Sequence, residues 1–198
     1  MGNIVDDIRA NEDTFADRPF NEVDSLALAQ LSYARMPVNV PRLDAEAMDV
    51  DLAMVGVRDL LRAECYDDMF GKVWSPSMNV DLLRAMCESP RWRDLRVGGY
   101  VDEFDPETTK QFSACVFDVG DGSSYVAFRG TDSTIVGWKE DFAMAFRRPV
   151  AAQESAARYL ADIAGRRDGP LMVGGHSKGG NLAVYAAANA PAAVQERL

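Results

Sequence analysis

The run Leu171–Ala190, LMVGGHSKGGNLAVYAAANA, constrains the fold more tightly than any other stretch of the chain. Leu171 to Val173 is a short apolar run that reads as a buried strand. The alanine-rich segment beyond the glycine turn predicts a helix from about Lys178 to Ala190. Between strand and helix, Gly175-His176-Ser177-Lys178-Gly179 forms a G-x-S-x-G pattern, followed by Gly180. A serine on so sharp a turn holds its hydroxyl exposed above the sheet, in a backbone conformation that needs strand and helix to come close. Glycines two before and two after it remove the β-carbons that would clash. A phosphate-binding turn at a helix N-terminus is the competing use for such glycines. A Walker-type loop requires G-x-x-x-x-G-K-[ST], which these residues do not supply, so Ser177 is read as a nucleophile position.

At 198 residues the chain can form one domain with a sizeable core, or the front part of a larger one. Its net charge of −10 disfavours nucleic acid and anionic membrane surfaces as partners, because neither is drawn to a negative field. Cys65, Cys87 and Cys115 are far apart and in no C-x-x-C spacing, which reads as small buried hydrophobes in a reducing compartment. His176 is the single histidine, so no Cys/His zinc site is expected, and no cofactor is implied. The N-terminus MGNIVDDIRANED lacks the basic and apolar regions of a signal peptide, and Asp6 stands where myristoylation needs Ser or Thr. The longest apolar candidate, Leu182–Val194, is interrupted by Asn189 and Pro191, so no transmembrane segment is expected and the default location is cytoplasmic.

Residues 1–21 read as polar and turn-rich. Asn21 is placed to cap a helix from Glu22 to about Ala34, and Asp44 to cap a second one through Arg62 with Met48, Leu52, Val55 and Leu60 inward. A third helix is expected from about Asn79 to Cys87. The period then changes to strands at Val97–Phe104 and Gln111–Val119, with Phe112, Ala114 and Val116 on one face and Cys115 and Phe117 on the other. Gly120-Asp121-Gly122-Ser123 is a hairpin signal leading to a third strand, Tyr125–Arg129. Helices follow at about Ile135–Phe146 and Ala151–Ala164, the latter with Ala156, Tyr159, Leu160 and Ile163 on one face. A crossover of about 40 residues between Arg129 and Leu171 suits parallel pairing of those strands. The expected plan is α/β: a helical N-terminal region over residues 1–95 packing on a core at 96–198, with an antiparallel hairpin leading into a mostly parallel sheet.

Acyl transfer at a serine needs donors aimed at the oxygen that becomes negative. One is expected from the Lys178 backbone N–H and the other from the loop after an earlier strand, where Phe128-Arg129-Gly130-Thr131-Asp132 sits. On spacing alone, a strand exit with a helix cap by Asp132 or Ser133 serves equally well. The phrases YVAFRGTDSTIVGWKEDF and GGHSKGGNLAVYAA together resemble the lipase class 3 family of α/β hydrolases, which shows F-R-G-[ST] and G-H-S-x-G-G in this order. The chain is closer still to a bacterial family of unknown function allied to those lipases, through RPFNEVDSLALAQLSY, SPSMNVDLLRAMCESPRWRDL and GYVDEFD. The resemblance implies an α/β-hydrolase fold and a serine ester hydrolase acting on a small-molecule ester or lipid-like substrate. Ser177 is then the nucleophile and Thr131 and Lys178 the oxyanion donors, with Trp138 and Asp141 as structural supports.

His176 adjoins the nucleophile and is read as packing or hydrogen-bonding under the turn, not as a base, and the Lys178 side chain as solvated or at a pocket rim. The α/β-hydrolase order places an acid and then a histidine after the serine, yet the residues after Ser177 hold no histidine and no acid but Glu196. The expectation is therefore an N-terminal fragment or truncated product of weak or no activity, with the strand before Ser177 left at an open sheet edge. A non-catalytic, hydrolase-like binding module is the alternative, and a thioesterase, peptidase or acyltransferase stays open within the hydrolase class.

Overall fold

The structure, a computed structural model, describes residues 2–44, 51–131, 134–146 and 149–198. One sheet contains β1 (Met54–Gly56), β2 (Arg96–Asp105), β3 (Lys110–Asp118), β4 (Ser124–Phe128) and β5 (Leu171–Gly175), side by side in that order. The helices are α1 (Ile4–Ala10), α2 (Glu22–Leu31), α3 (Tyr66–Phe70), α4 (Pro76–Glu88), α5 (Ile135–Met144), α6 (Ala151–Arg166), α7 (Lys178–Asn189) and α8 (Ala192–Gln195). Alternation along β3 sets the layers. Cys115 and Phe117 face a core built with the N-terminal helices, while Phe112, Ala114 and Val116 face a second core under α6 and α7. Tyr159, Leu160 and Ile163 of α6 belong to that second core, on the face their spacing predicts.

The fold is α/β, but the mostly parallel sheet that the sequence suggests is instead mixed. β1–β2, β2–β3 and β3–β4 pair antiparallel, and of these strand pairs only β4–β5 is parallel, with Phe128 beside Gly175. The short links between β2, β3 and β4 permit only hairpins; the connections from β1 to β2 and from β4 to β5 are both long enough for a parallel return, and only the second, through α5 and α6, makes one. β5 forms one edge of the sheet, and its Leu171 N–H donates to the Arg197 carbonyl at 2.7 Å.

Three other expectations are corrected. The helix from Asp44 to Arg62 does not form over its described part. Met48 lies outside the described residues, and from Met54 the chain pairs with β2 before a 3-10 turn at Val57–Leu60. Residues 1–95 are thus not purely helical, since tertiary pairing overrides the apolar period read there. Residues 1–21 contain a helix, α1, whose capping box (Asn3 with Asp6) and buried Val5 and Ile8 were present as signals in a segment too short for periodicity to stand out. α3, only five residues long, is likewise too short for a helical period to mark it. Elsewhere the expected elements form with shifted ends, and Asn21 caps α2 as its position indicated.

The N-terminal layer is tied down by a buried guanidinium. Arg91 Nε donates to Asp24 Oδ1 at 2.9 Å and Nη2 to Asp24 Oδ2, while its other donors reach the carbonyls of Asp13, Thr14, Arg18 and Pro19. The guanidinium also lies 4.0 Å from the centre of the Phe15 ring.

The core on the N-terminal side of the sheet holds neutral acids that resist ionisation. Burial pushes the Tyr125 hydroxyl from 10.0 up to about 12, against the opposing hydrogen bond from Ser25. Burial also pushes Cys115 up to about 12 and Cys87 up to about 11, both from 9.0. In the unfolded chain these groups ionise at lower pH than in the fold, so the stability they confer is whole below about pH 9 and is lost as pH rises towards 12. Thermal melts followed by circular dichroism are expected to show a flat Tm up to about pH 9 and a fall of more than about 10 °C by pH 12. A Tm that held to pH 12 would mean that these groups are not buried as described.

Candidate active site

Ser177 ends the turn between β5 and α7 with φ 58° and ψ −122°, a region that non-glycine residues avoid. Two close approaches hold it there. A Cβ on Gly175 would meet the Phe128 carbonyl oxygen and the Gly179 backbone, and one on Gly179 would land on the same Phe128 oxygen. The end of β4 and the start of α7 are therefore in backbone contact, and the serine between them is exposed. The helix begins cleanly: Gly180 and Asn181 N–H donate to the Ser177 carbonyl at 3.0 and 3.3 Å, and Gly179 N–H to the His176 carbonyl at 2.9 Å. The first amide of α7, that of Lys178, has no acceptor among the described residues. No hydrogen bond among them engages the Ser177 hydroxyl.

The FRGT loop leaves β4 directly against this turn. A Cβ on Gly130 would come within 2.6 Å of the His176 carbonyl oxygen, so only glycine fits and Thr131 follows at the edge of the turn. Thr131 Oγ1 donates to Asp141 Oδ2 from α5. With its single hydroxyl proton committed, Thr131 has its backbone N–H left to offer an incoming oxygen. Asp141 thus supports Thr131, as the sequence reading had it, but Trp138 is largely exposed and lines a cleft, so it serves no buried support. Asp132 and Ser133 lie outside the described residues; the helix cap is Thr134, whose Oγ1 accepts from Gly137 N–H at 3.1 Å. Arg129 pairs with Asp102 of β2 at 2.8 Å, which fixes the strand exit from the other side.

His176 does hydrogen-bond, but in the cleft wall instead of beneath the turn. It is exposed, and its Nδ1 lies 3.0 Å from the Tyr33 hydroxyl, just past α2. Burial raises the Tyr33 pKa above 10.0, with Arg129 opposing and Asp141 adding to the shift, so this hydroxyl stays protonated at neutral pH.

The Lys178 side chain overturns its expectation most clearly. It is 1% exposed, not solvated or at a rim, and its Nζ donates to Glu140 Oε2 at 2.6 Å, the Gln111 carbonyl at 2.6 Å and Gln111 Oε1 at 3.1 Å. All three of its protons are spent, which removes it as a base. Glu140 was missed for a specific reason. In α5 the apolar residues Ile135, Trp138 and Phe142 share a helical face, which predicts that face inward, yet all three are exposed and the buried residues are Gly137 and Glu140.

Beside the turn is an open cleft of about 1150 Å³, with Tyr33, Trp74, Arg129, Thr131, Trp138 and His176 in its wall; the turn enters it through His176 and not through Ser177. Aromatic faces alternate there with charged and hydroxyl groups, which suits a ligand with apolar and polar ends. Among the described residues no group of three or more His, Cys, Asp or Glu side chains converges to hold a metal ion, and no helix is long and apolar enough to cross a membrane.

Residues 86–198 match the Mbeg1-like family, a span that takes in β2 to β5, the FRGT loop and the serine turn. The chain belongs to the Mbeg1-like family. No curated protein and no solved structure matches it. Tyr33 and Trp74 precede the Mbeg1-like segment, so part of the cleft wall comes from residues that the family match does not cover.

Proposed function

We propose that this chain carries the nucleophile of a serine ester hydrolase of lipase or esterase type, on an α/β-hydrolase scaffold similar to that of class 3 lipases. The observation that carries the reading is Ser177: an exposed serine at φ 58° between a strand and a helix, with the FRGT loop packed against it. In the proposed reaction Ser177 Oγ attacks the ester carbonyl carbon, and the carbonyl oxygen becomes negative between the amides of Lys178 and Thr131. The alcohol leaves, and water later releases the acid from the acyl-serine. The hydroxyl proton needs a base, and His176, the single imidazole of the chain, is turned to Tyr33. Turnover by these 198 residues is therefore expected to be weak.

A fluorophosphonate probe tests the assignment. Slow labelling of the protein, in keeping with weak turnover, and its complete loss in Ser177→Ala are expected; equal labelling of both would sink the reading. The Ser177 hydroxyl, which has no hydrogen-bond partner among the described residues, favours a second reading, a non-catalytic binding module built on the same scaffold. Hydrolysis of p-nitrophenyl esters that disappears in Ser177→Ala rules that module out, while cleft binding with neither labelling nor hydrolysis favours it.

A further inference from the structure

The buried pair of Lys178 and Glu140 has a place in the molecule that packing alone does not require. Glu140 Oε2 accepts from Lys178 Nζ at 2.6 Å and from Gln111 N–H at 3.0 Å, and its Oε1 accepts from Ala152 N–H at 2.9 Å. One carboxylate therefore joins α5 to the start of β3, the first turn of α6 and the first residue of α7. It is also the only buried side chain beyond a glycine in α5. Both proposed oxyanion donors trace back to it. The Lys178 amide belongs to the residue whose own side chain Glu140 grips, and Thr131 is held by Asp141, the residue next to Glu140 in α5.

We propose that Lys178 and Glu140 are positioning residues, whose buried pair sets the Lys178 and Thr131 amides in register across the reaction centre. The inference rests on the serine-hydrolase reading. A buried pair whose only task was cohesion is replaceable by apolar side chains of similar volume without loss of stability. A pair that sets the direction of two amides can be replaced in the same way for stability but not for rate, because displacement by about 1 Å can cost on the order of 100-fold.

The experiment uses Lys178→Met/Glu140→Leu, with Glu140→Gln as the shape-conserving variant should the first not fold. The rate of fluorophosphonate labelling is measured well below Tm. A rate at least about 10-fold below wild type, at a Tm close to wild type, is the expected result. A wild-type rate would overturn the inference and leave the serine reading standing. If wild type itself is not labelled, the serine reading fails, and amide resonances decide the coupling without any chemistry at Ser177. In Glu140→Gln the backbone amide resonances of Lys178 and Thr131 are expected to shift together. Unchanged resonances at either amide overturn the pairing of the two.

Discussion

Gly179→Ala is expected to lower stability by roughly 4 kcal/mol and to abolish labelling of Ser177. Helix propensity alone predicts the opposite sign, since alanine is favoured over glycine within a helix by about 1 kcal/mol. The added methyl, however, would land on the Phe128 carbonyl oxygen and approach the Arg129 carbonyl carbon to 3.1 Å. Both are backbone atoms at the end of β4, paired into the sheet, and cannot swing aside. Strand and helix must part, and with them the close approach that holds Ser177 at positive φ. Gly165→Ala near the end of α6 is the matched control, because nothing lies within 4 Å of its added methyl. There propensity acts unopposed, and a gain of about 0.5 to 1 kcal/mol is expected. Urea titrations of both variants measure the contrast; a Gly179→Ala midpoint equal to wild type would refute the backbone contact.

Arg91→Leu is expected to cost about 3 to 5 kcal/mol, a large share of the roughly 5 to 15 kcal/mol that holds a domain together. The loss has two parts. Asp24 is left as a buried, uncompensated carboxylate, and the carbonyls of Asp13, Thr14, Arg18 and Pro19 lose their common donor. Arg91→Lys is not expected to restore the wild type, because an ammonium has three donors and no planar fork to span a carboxylate and four carbonyls. The unfolding midpoint reports the first part. Protease cleavage within residues 13–19 reports the second, and should rise in both variants. Resistance equal to wild type in Arg91→Leu would show that the segment is held by other contacts.

These two residues differ in how far the sequence reveals them. Gly179 stands two places after a serine in a strand–turn–helix context, so its role follows from local geometry. Arg91 gives no such sign, because its partners lie more than sixty residues back in the chain. Glu140 and Lys178 are harder still. Each was readable as a solvated charge, and α5 presents its apolar face outward, so the helical period pointed the wrong way. The β3 alternation shows the opposite case: Phe117 and Val116 face the two cores that their order along the strand predicts.

The sequence by itself determined what depends on neighbours in the chain. That covers the caps at Asn21, the hairpin at Gly120–Ser123, the crossover that returns β5 parallel to β4, and the serine turn. Each follows from local backbone sterics or from the length of a connection. Only the tertiary structure decided the antiparallel addition of β1, the turn of His176 towards Tyr33, and the burial of Lys178 on Glu140 and Gln111. Those depend on which surfaces exclude water together. A buried charge is tolerable only where partners from distant segments meet all of its hydrogen bonds, and no single stretch of chain specifies that meeting.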